Sequence, residues 1–121
     1  MPAIHVRALA PAGGTAQVDR ALRAIATDVA DAIGGEPPGT WSTFTAIDRM
    51  TIGTQVMSGE GRIVYLDMWI RSRGPEADGR ALAAACRAAA RELEVPVEDV
   101  WGTLRTVEAG RVFAGGGLLE D

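Results

Sequence analysis

The sequence predicts an α+β domain made of two β-α-β units in tandem, with a four-stranded sheet and both helices on one face. Three observations carry this. Strand-like alternation and helical spacing succeed one another twice. The halves repeat at a fixed interval, Arg20-Ala21-Leu22 falling on Arg80-Ala81-Leu82, Trp41 on Trp101 and Thr43 on Thr103, each 60 residues apart (80 − 20; 101 − 41; 103 − 43). That period is too long for the common solenoid repeats and matches two β-α-β units, whose helical crossover favours parallel strands within each unit. At 121 residues the chain is expected to be a single domain spanning 1–121, with repeats at about 1–60 and 61–121. A ferredoxin-like dimeric barrel shares the same element order, but pairs those strands antiparallel.

The first strand follows Pro2. Ile4, Val6 and Ala8 alternate with Ala3, His5 and Arg7, and Leu9 interrupts the pattern. Ala10-Pro-Ala-Gly-Gly14 ends the strand. Thr15 is placed to cap a helix carried by Val18, Leu22, Ile25, Val29 and Ile33, which Gly34-Gly35 stops and Pro37-Pro38 keeps from restarting. Residues 41–47 are rich in β-formers. Ile52, Val56 and Met57 offer a short strand or hairpin in the polar stretch 51–61. Residues 63–70 form the strongest strand. Gly74-Pro75 opens a second helix with Leu82, Ala85, Ala89 and Leu93 inward, which Pro96 ends ahead of a last strand over 100–107. The alanine content of that helix suits close packing on a sheet. A glycine-rich tail, 110–117, surrounds Arg111, Val112 and Phe113.

Composition excludes several chemistries. Net charge is −4 with no basic tract, which argues against nucleic acid as a partner. All 12 basic residues are arginine, so lysine Schiff bases and pyridoxal phosphate attachment are ruled out. One histidine, His5, and one cysteine, Cys86, cannot build a common metal site or an intrachain disulfide. No apolar run is long enough to span a membrane, and no secretory leader is evident, so a cytoplasmic protein working without metal or cofactor is expected.

Two features point to chemistry. Removal of Met1 before a small residue would leave Pro2 as a secondary amine at the start of a strand, a rigidly held group able to take up or release a proton. Pro2 also suits a strand's first position for ordinary structural reasons. Arg71 and Arg73 follow the strongest strand. Spaced by two, they would point to one side if the strand continued, and two guanidinium forks suit a carboxylate or dicarboxylate. The repeat sets Pro2 opposite Arg62, and Arg71 and Arg73 opposite Pro11 and Gly13, so the halves divide the polar equipment between them.

Pro2 at the head of a strand, the duplicated β-α-β unit and an arginine after the strand of the second unit together resemble the tautomerase superfamily, in particular its fused two-unit 4-oxalocrotonate tautomerase-like members. The Arg71-Ser72-Arg73 pair is similar to that of malonate semialdehyde decarboxylases. The resemblance implies a tautomerase/MIF-like fold and a cofactor-independent isomerase acting on a small enol or 2-keto carboxylate. It implies Pro2 as general base and acid, and Arg71 and Arg73 as substrate clamp. Trp101, standing where short tautomerases carry a second arginine, becomes an aromatic wall of the substrate site. A homotrimer is implied as well, which would cover the sheet face that two helices leave bare. The chain departs from the decarboxylases at Gly39-Thr40-Trp41, where they carry an acidic residue. Glu108 is the nearest residue to the water-activating glutamate of haloacrylate dehalogenases. Decarboxylation or hydration of a small acid on the same site is therefore an alternative, as is a non-catalytic oligomeric or ligand-binding role.

Overall fold

A computed structural model of the chain describes residues 2–35, 39–57 and 63–120. The expected roles of Met1, Pro37-Pro38 and Arg62 lie outside these residues. The main sheet has four strands: β1 (Ala3–Leu9), β2 (Trp41–Ile47), β5 (Val64–Arg71) and β6 (Val100–Val107). Two hairpins stand apart from it, β3 (Met50–Ile52) with β4 (Gln55–Met57), and β7 (Phe113–Ala114) with β8 (Gly117–Leu118). Helices α1 (Gly14–Ile33) and α2 (Pro75–Leu93) link β1 to β2 and β5 to β6.

Strand order is β2-β1-β5-β6. Pairing is parallel within each unit and antiparallel between the central strands β1 and β5. Parallel pairing inside both units excludes the dimeric-barrel alternative. The antiparallel junction is what gives the two units their pseudo-twofold relation. Each unit ends in a hairpin, and these too recur about 60 residues apart, so the glycine-rich tail matches the 50–57 hairpin. Its turn, Gly115-Gly116, takes positive φ at both positions, 64° and 88°, as a two-residue hairpin loop matching strand twist demands.

The core lies between the sheet and the helices. Ile4, Val6 and Ala8 of β1 and Val64, Leu66, Met68 and Ile70 of β5 are buried against Ala21, Ile25 and Val29 of α1 and Ala81, Ala85, Ala88 and Ala89 of α2. The alanine face lets α2 approach closely. Gly102 on β6 completes that approach, because a methyl group built on it would overlap Cys86 Sγ. Glycine within a strand marks such sites. Arg91 joins the helices across their surface through Asp28, at 3.2 Å.

Three local expectations need correction. Thr15 does not cap α1. The N-cap is Gly13, whose N–H is bound at 2.8 Å by the Gln17 carbonyl oxygen. The Gln17 amide in turn donates to the Glu92 carbonyl at 2.9 Å, so a buried polar side chain serves both helices. Helix α2 ends before Pro96, with Glu94 left-handed at φ 58° in the place that Gly34 takes after α1. Leu9, on the outer parity of β1, is nevertheless buried, lining a cavity with Pro11, Leu93 and Val95.

Candidate active site

The outer sheet face, away from the helices, carries cross-strand rows fixed by register. Ala3 pairs with Trp41 on one side and Trp69 on the other, and Trp69 pairs with Arg105. The next row on this face runs Thr43, His5, Asp67, Thr103, and the one beyond it Thr45, Arg7, Tyr65, Trp101. The middle of the face is polar. Asp67 accepts a hydrogen bond from the Thr103 hydroxyl and an ion pair from Arg7 at 3.1 Å, and His5 Nε2 lies 2.8 Å from Thr45 Oγ1. The Thr103 hydrogen bond, and then the Arg7 and Arg105 charges, hold the Asp67 carboxyl below its ordinary range, outweighing partial desolvation.

The first row lies at the end where β1 begins and β5 ends. One step beyond the Ala3–Trp69 pair, antiparallel register brings Pro2 level with Ile70 and beside the end of β5 at Arg71. Pro2 is buried, and its carbonyl accepts the Trp41 N–H at 2.9 Å, which fixes it to the start of β2. Arg71 is on the outer parity of β5 with Trp69 and pairs with Val107. Its guanidinium donates from Nη1 to the Glu120 carbonyl, tying down the chain just after the tail hairpin. Beside these residues an apolar pocket of about 210 Å³ is walled by Ala3, Trp41, Trp69, Val107, Val112 and Phe113. Arg105 stacks its guanidinium 5.2 Å from the Trp69 ring centre.

Arg73 does not share the strand face with Arg71, because the strand stops at Arg71. The buried Asp78 carboxylate of α2 turns the chain instead. It accepts the Arg73 N–H at 2.9 Å and the Ser72 hydroxyl at 2.6 Å, while Ser72 Oγ accepts the Gly74 N–H at 3.2 Å. The Arg73 N–H and then the Ser72 hydroxyl hold the Asp78 carboxyl below its usual value. Gly74, at φ 105°, completes a turn that few other residues accept. Arg73 is exposed and lines a shallow groove along the start of α2 with Pro75, Glu76 and Arg80.

Trp101 lies away from the apolar pocket within one chain. It sits opposite Tyr65, four residues along β5 from Trp69, or about 13 Å down the sheet. The antiparallel join of the units inverts the second, so the repeat partners Trp41 and Trp101 lie at opposite ends. Trp41, not Trp101, therefore stands beside Pro2 within one chain. Trp41 and Trp69 are the wall residues that sequence reasoning did not select. The 60-residue repeat held the signal for Trp41, once combined with an antiparallel β1–β5 junction. Cys86 is half-buried behind β6, where desolvation pushes its thiol up, away from nucleophilic use. Among the described residues, no group of three or more His, Cys, Asp and Glu could hold a metal.

No protein-family model and no curated protein sequence matches the chain. Solved structures do. A fused 4-OT solved as a symmetric trimer superimposes with a TM-score of 0.81 at 16% identity, over 97% of this chain and 94% of the other. Pt0534, inactivated by 2-oxo-3-pentynoate, gives 0.83 at 13% identity over 97% and 94%. N1, a member of the cis-3-chloroacrylic acid dehalogenase family, gives 0.77 at 17% identity over 98% and 84%. The chain thus has the fused 4-OT fold throughout its length.

Proposed function

We propose that the protein is a cofactor-independent tautomerase of the 4-oxalocrotonate tautomerase type, acting on a small enol or 2-keto carboxylate. The observation that supports this is the β1–β5 register, which puts Pro2 and Arg71, about 70 residues apart in sequence, at one end of the sheet, next in chain to Ala3 and opposite Val107, two residues that line an apolar pocket. Once Met1 is removed, Pro2 is a secondary amine. Burial favours its neutral form, the form needed in a general base. Arg71 binds the substrate carboxylate by a charge-assisted pair. Arg73, on the α2 side of the turn, adds positive potential from outside the pocket. Pro2 takes a proton from the enol oxygen or the carbon next to the carbonyl, and its protonated form returns one to the other position. The sheet fixes the amine between the two sites, so orientation and acid–base catalysis supply the rate.

A homotrimer closes the site in this reading. The outer face of a single chain leaves Trp41, Trp69 and Trp101 at 57%, 45% and 66% exposure, an apolar load that a second copy would cover. Trp101 joins a substrate pocket only when a neighbouring copy presents it.

Intact mass and turnover test the assignment together. The expected chain lacks one methionine, converts phenylenolpyruvate to its keto form and is labelled at Pro2 by 2-oxo-3-pentynoate. Pro2→Ala should lower kcat by about 10²–10⁴-fold, mainly in the chemical step. A full-length mass with undiminished turnover would remove Pro2 from the mechanism.

Hydration or decarboxylation of a small acid is a second reading, favoured by Glu108. It lines a groove that shares Trp69, Val107 and Val112 with the apolar pocket. A carboxylate there can activate water. Glu108→Gln should then abolish hydration of an α,β-unsaturated acid while leaving enol ketonisation intact.

A further inference from the structure

On the reading that copies of this chain associate through the outer sheet face, we infer that the assembly is pH-sensitive. Uptake of a proton by His5 drives it toward separate chains, and so opens the site that a neighbouring copy closes. His5 is the single histidine of the chain and stands on β1, a central strand of the sheet. Register sets it between Thr43 of β2 and Asp67 of β5. The row on one side of it holds Trp41 and Trp69, and the row on the other side holds Trp101. Successive rows on one face are two residues apart, roughly 7 Å. A second copy that covers the tryptophans at both ends therefore covers the row between them. His5, half-buried on one chain, loses its remaining water in the assembly.

The charges on this face oppose an imidazolium. Among the described residues, the outer parity of the four strands carries Arg7, Arg71 and Arg105 against a single carboxylate, Asp67. The face is basic although the whole chain carries −4. Toward His5, β1 presents Arg7, β2 Thr43 and Thr45, β5 Asp67 and Tyr65, and β6 Arg105. The helices lie on the other side of the sheet. Both Asp67 oxygens are taken, Oδ1 by the Thr103 hydroxyl and Oδ2 by Arg7 at 3.1 Å. His5 Nε2 meets Thr45 Oγ1 at 2.8 Å, a hydroxyl that serves a neutral imidazole as donor or acceptor. The other ring nitrogen makes no hydrogen bond among the described residues. A neutral ring is accommodated on these terms. An imidazolium carries one more N–H and one more positive charge, and the one carboxylate of the face is already occupied.

Assembly is where the two forms part. In a separate chain the imidazolium is solvated. Between copies it is desolvated, and each copy brings a further Arg7 and Arg105 to the same interior, so burial and like charge both disfavour the charged ring. The assembly therefore holds fewer protons at His5 than the separate chains do. By linkage, a fall in pH across the range in which histidine titrates, about pH 8 to 5, favours the separate chains.

A dilution series followed by light scattering, at pH 8 and pH 5 and constant ionic strength, tests the inference on the parent chain, His5→Gln and His5→Arg. The concentration at which half of the parent chains are assembled should rise about tenfold or more from pH 8 to pH 5. His5→Gln is neutral throughout and still able to bond Thr45, so its value should change by less than about threefold. His5→Arg, charged throughout, should need the higher concentration at both pH values. His5 lies on the face away from the helix-packed core, so these variants report on association rather than on folding, which circular dichroism checks. An assembled parent that ignores pH or tightens in acid, or a His5→Gln chain that responds as the parent does, overturns the inference and leaves the homotrimer standing. A parent that is monomeric at pH 8 removes the homotrimer and the inference together. Neither result bears on Pro2, which turnover and intact mass test separately.

Discussion

Ala3 faces Trp69 across the antiparallel pair of central strands, and this one register decides which residues meet at the end of the sheet. It sets the Pro2 end of β1 against the Arg71 end of β5. It also turns the second unit around, so that Trp41 and Trp69 flank Ala3 while Trp101 is carried to the far end.

The two arginines after β5 should therefore behave differently. Arg71→Ala is expected to raise KM for a carboxylate substrate by an amount equivalent to about 2–3 kcal/mol, the scale of a charge-assisted contact, with a smaller effect on kcat. Arg73→Ala should change KM by less than about threefold, a long-range and salt-sensitive effect. Steady-state kinetics at two ionic strengths separates them. Equal effects would place both guanidinium groups on the substrate.

Asp78 organises the turn that separates those arginines, and its removal should be felt in both stability and site geometry. Asp78→Ala is expected to lower the melting temperature and raise KM, whereas Arg73→Ala should leave the melting temperature nearly unchanged. The pH dependence follows in sign. The folded-state carboxyl is held below the ordinary value of 3.8 by the Arg73 N–H and the Ser72 hydroxyl. Its stabilising contribution is thus complete above 3.8 and is lost as pH falls through the lower folded-state value. Thermal melts of the parent chain and Asp78→Asn should differ above pH 5 or so and converge in strong acid. A constant difference across that range would contradict the assignment.

Gly102 is required by the closeness of α2. Gly102→Ala should destabilise the chain by about 1–3 kcal/mol, because the added methyl meets Cys86 Sγ and Leu82 Cδ1. Cys86→Ala in the same chain should recover much of that loss, since it removes the nearer of the two atoms. Denaturant unfolding of the single and double variants measures the coupling. Additive losses would show that the two residues do not compete for the same space.

Trp101 tests self-association independently of chemistry. On one chain it is exposed at the end of the sheet away from Pro2. If copies pack through this face, Trp101→Glu should shift the mass measured by light scattering toward the monomer. A monomeric parent protein would remove the homotrimer and with it any substrate contact by Trp101.

Much of the architecture follows from local sequence. Alternation at Ile4, Val6 and Ala8, the run over Val64–Ile70 and the helical spacing of Ile25, Val29, Ala85 and Ala89 each report burial on one face, and local periodicity is sufficient for that. The repeat of Arg20-Ala21-Leu22 at Arg80-Ala81-Leu82 adds the duplication. The same reading names Pro2 and Arg71 as candidates. Where it errs, the residues answer to contacts remote in sequence. Gln17 replaces Thr15 at the helix start because the Glu92 carbonyl, 75 residues away, holds its amide. Arg73 leaves the strand because the carboxylate of Asp78 offers its backbone a better partner than another ladder position would.

The sequence by itself determined the elements, their duplication and the residue types available for chemistry, since these depend on periodicity and composition along the chain. Only the tertiary structure decided which of them meet. Strand direction is a property of a pair, and a strand's own residues do not record whether its neighbour runs with it or against it. The antiparallel β1–β5 junction brings Pro2 to Arg71 and Trp41 to Trp69 and sends Trp101 to the opposite end. The outer face remains bare because each unit's crossover helix lies on the other side of the sheet.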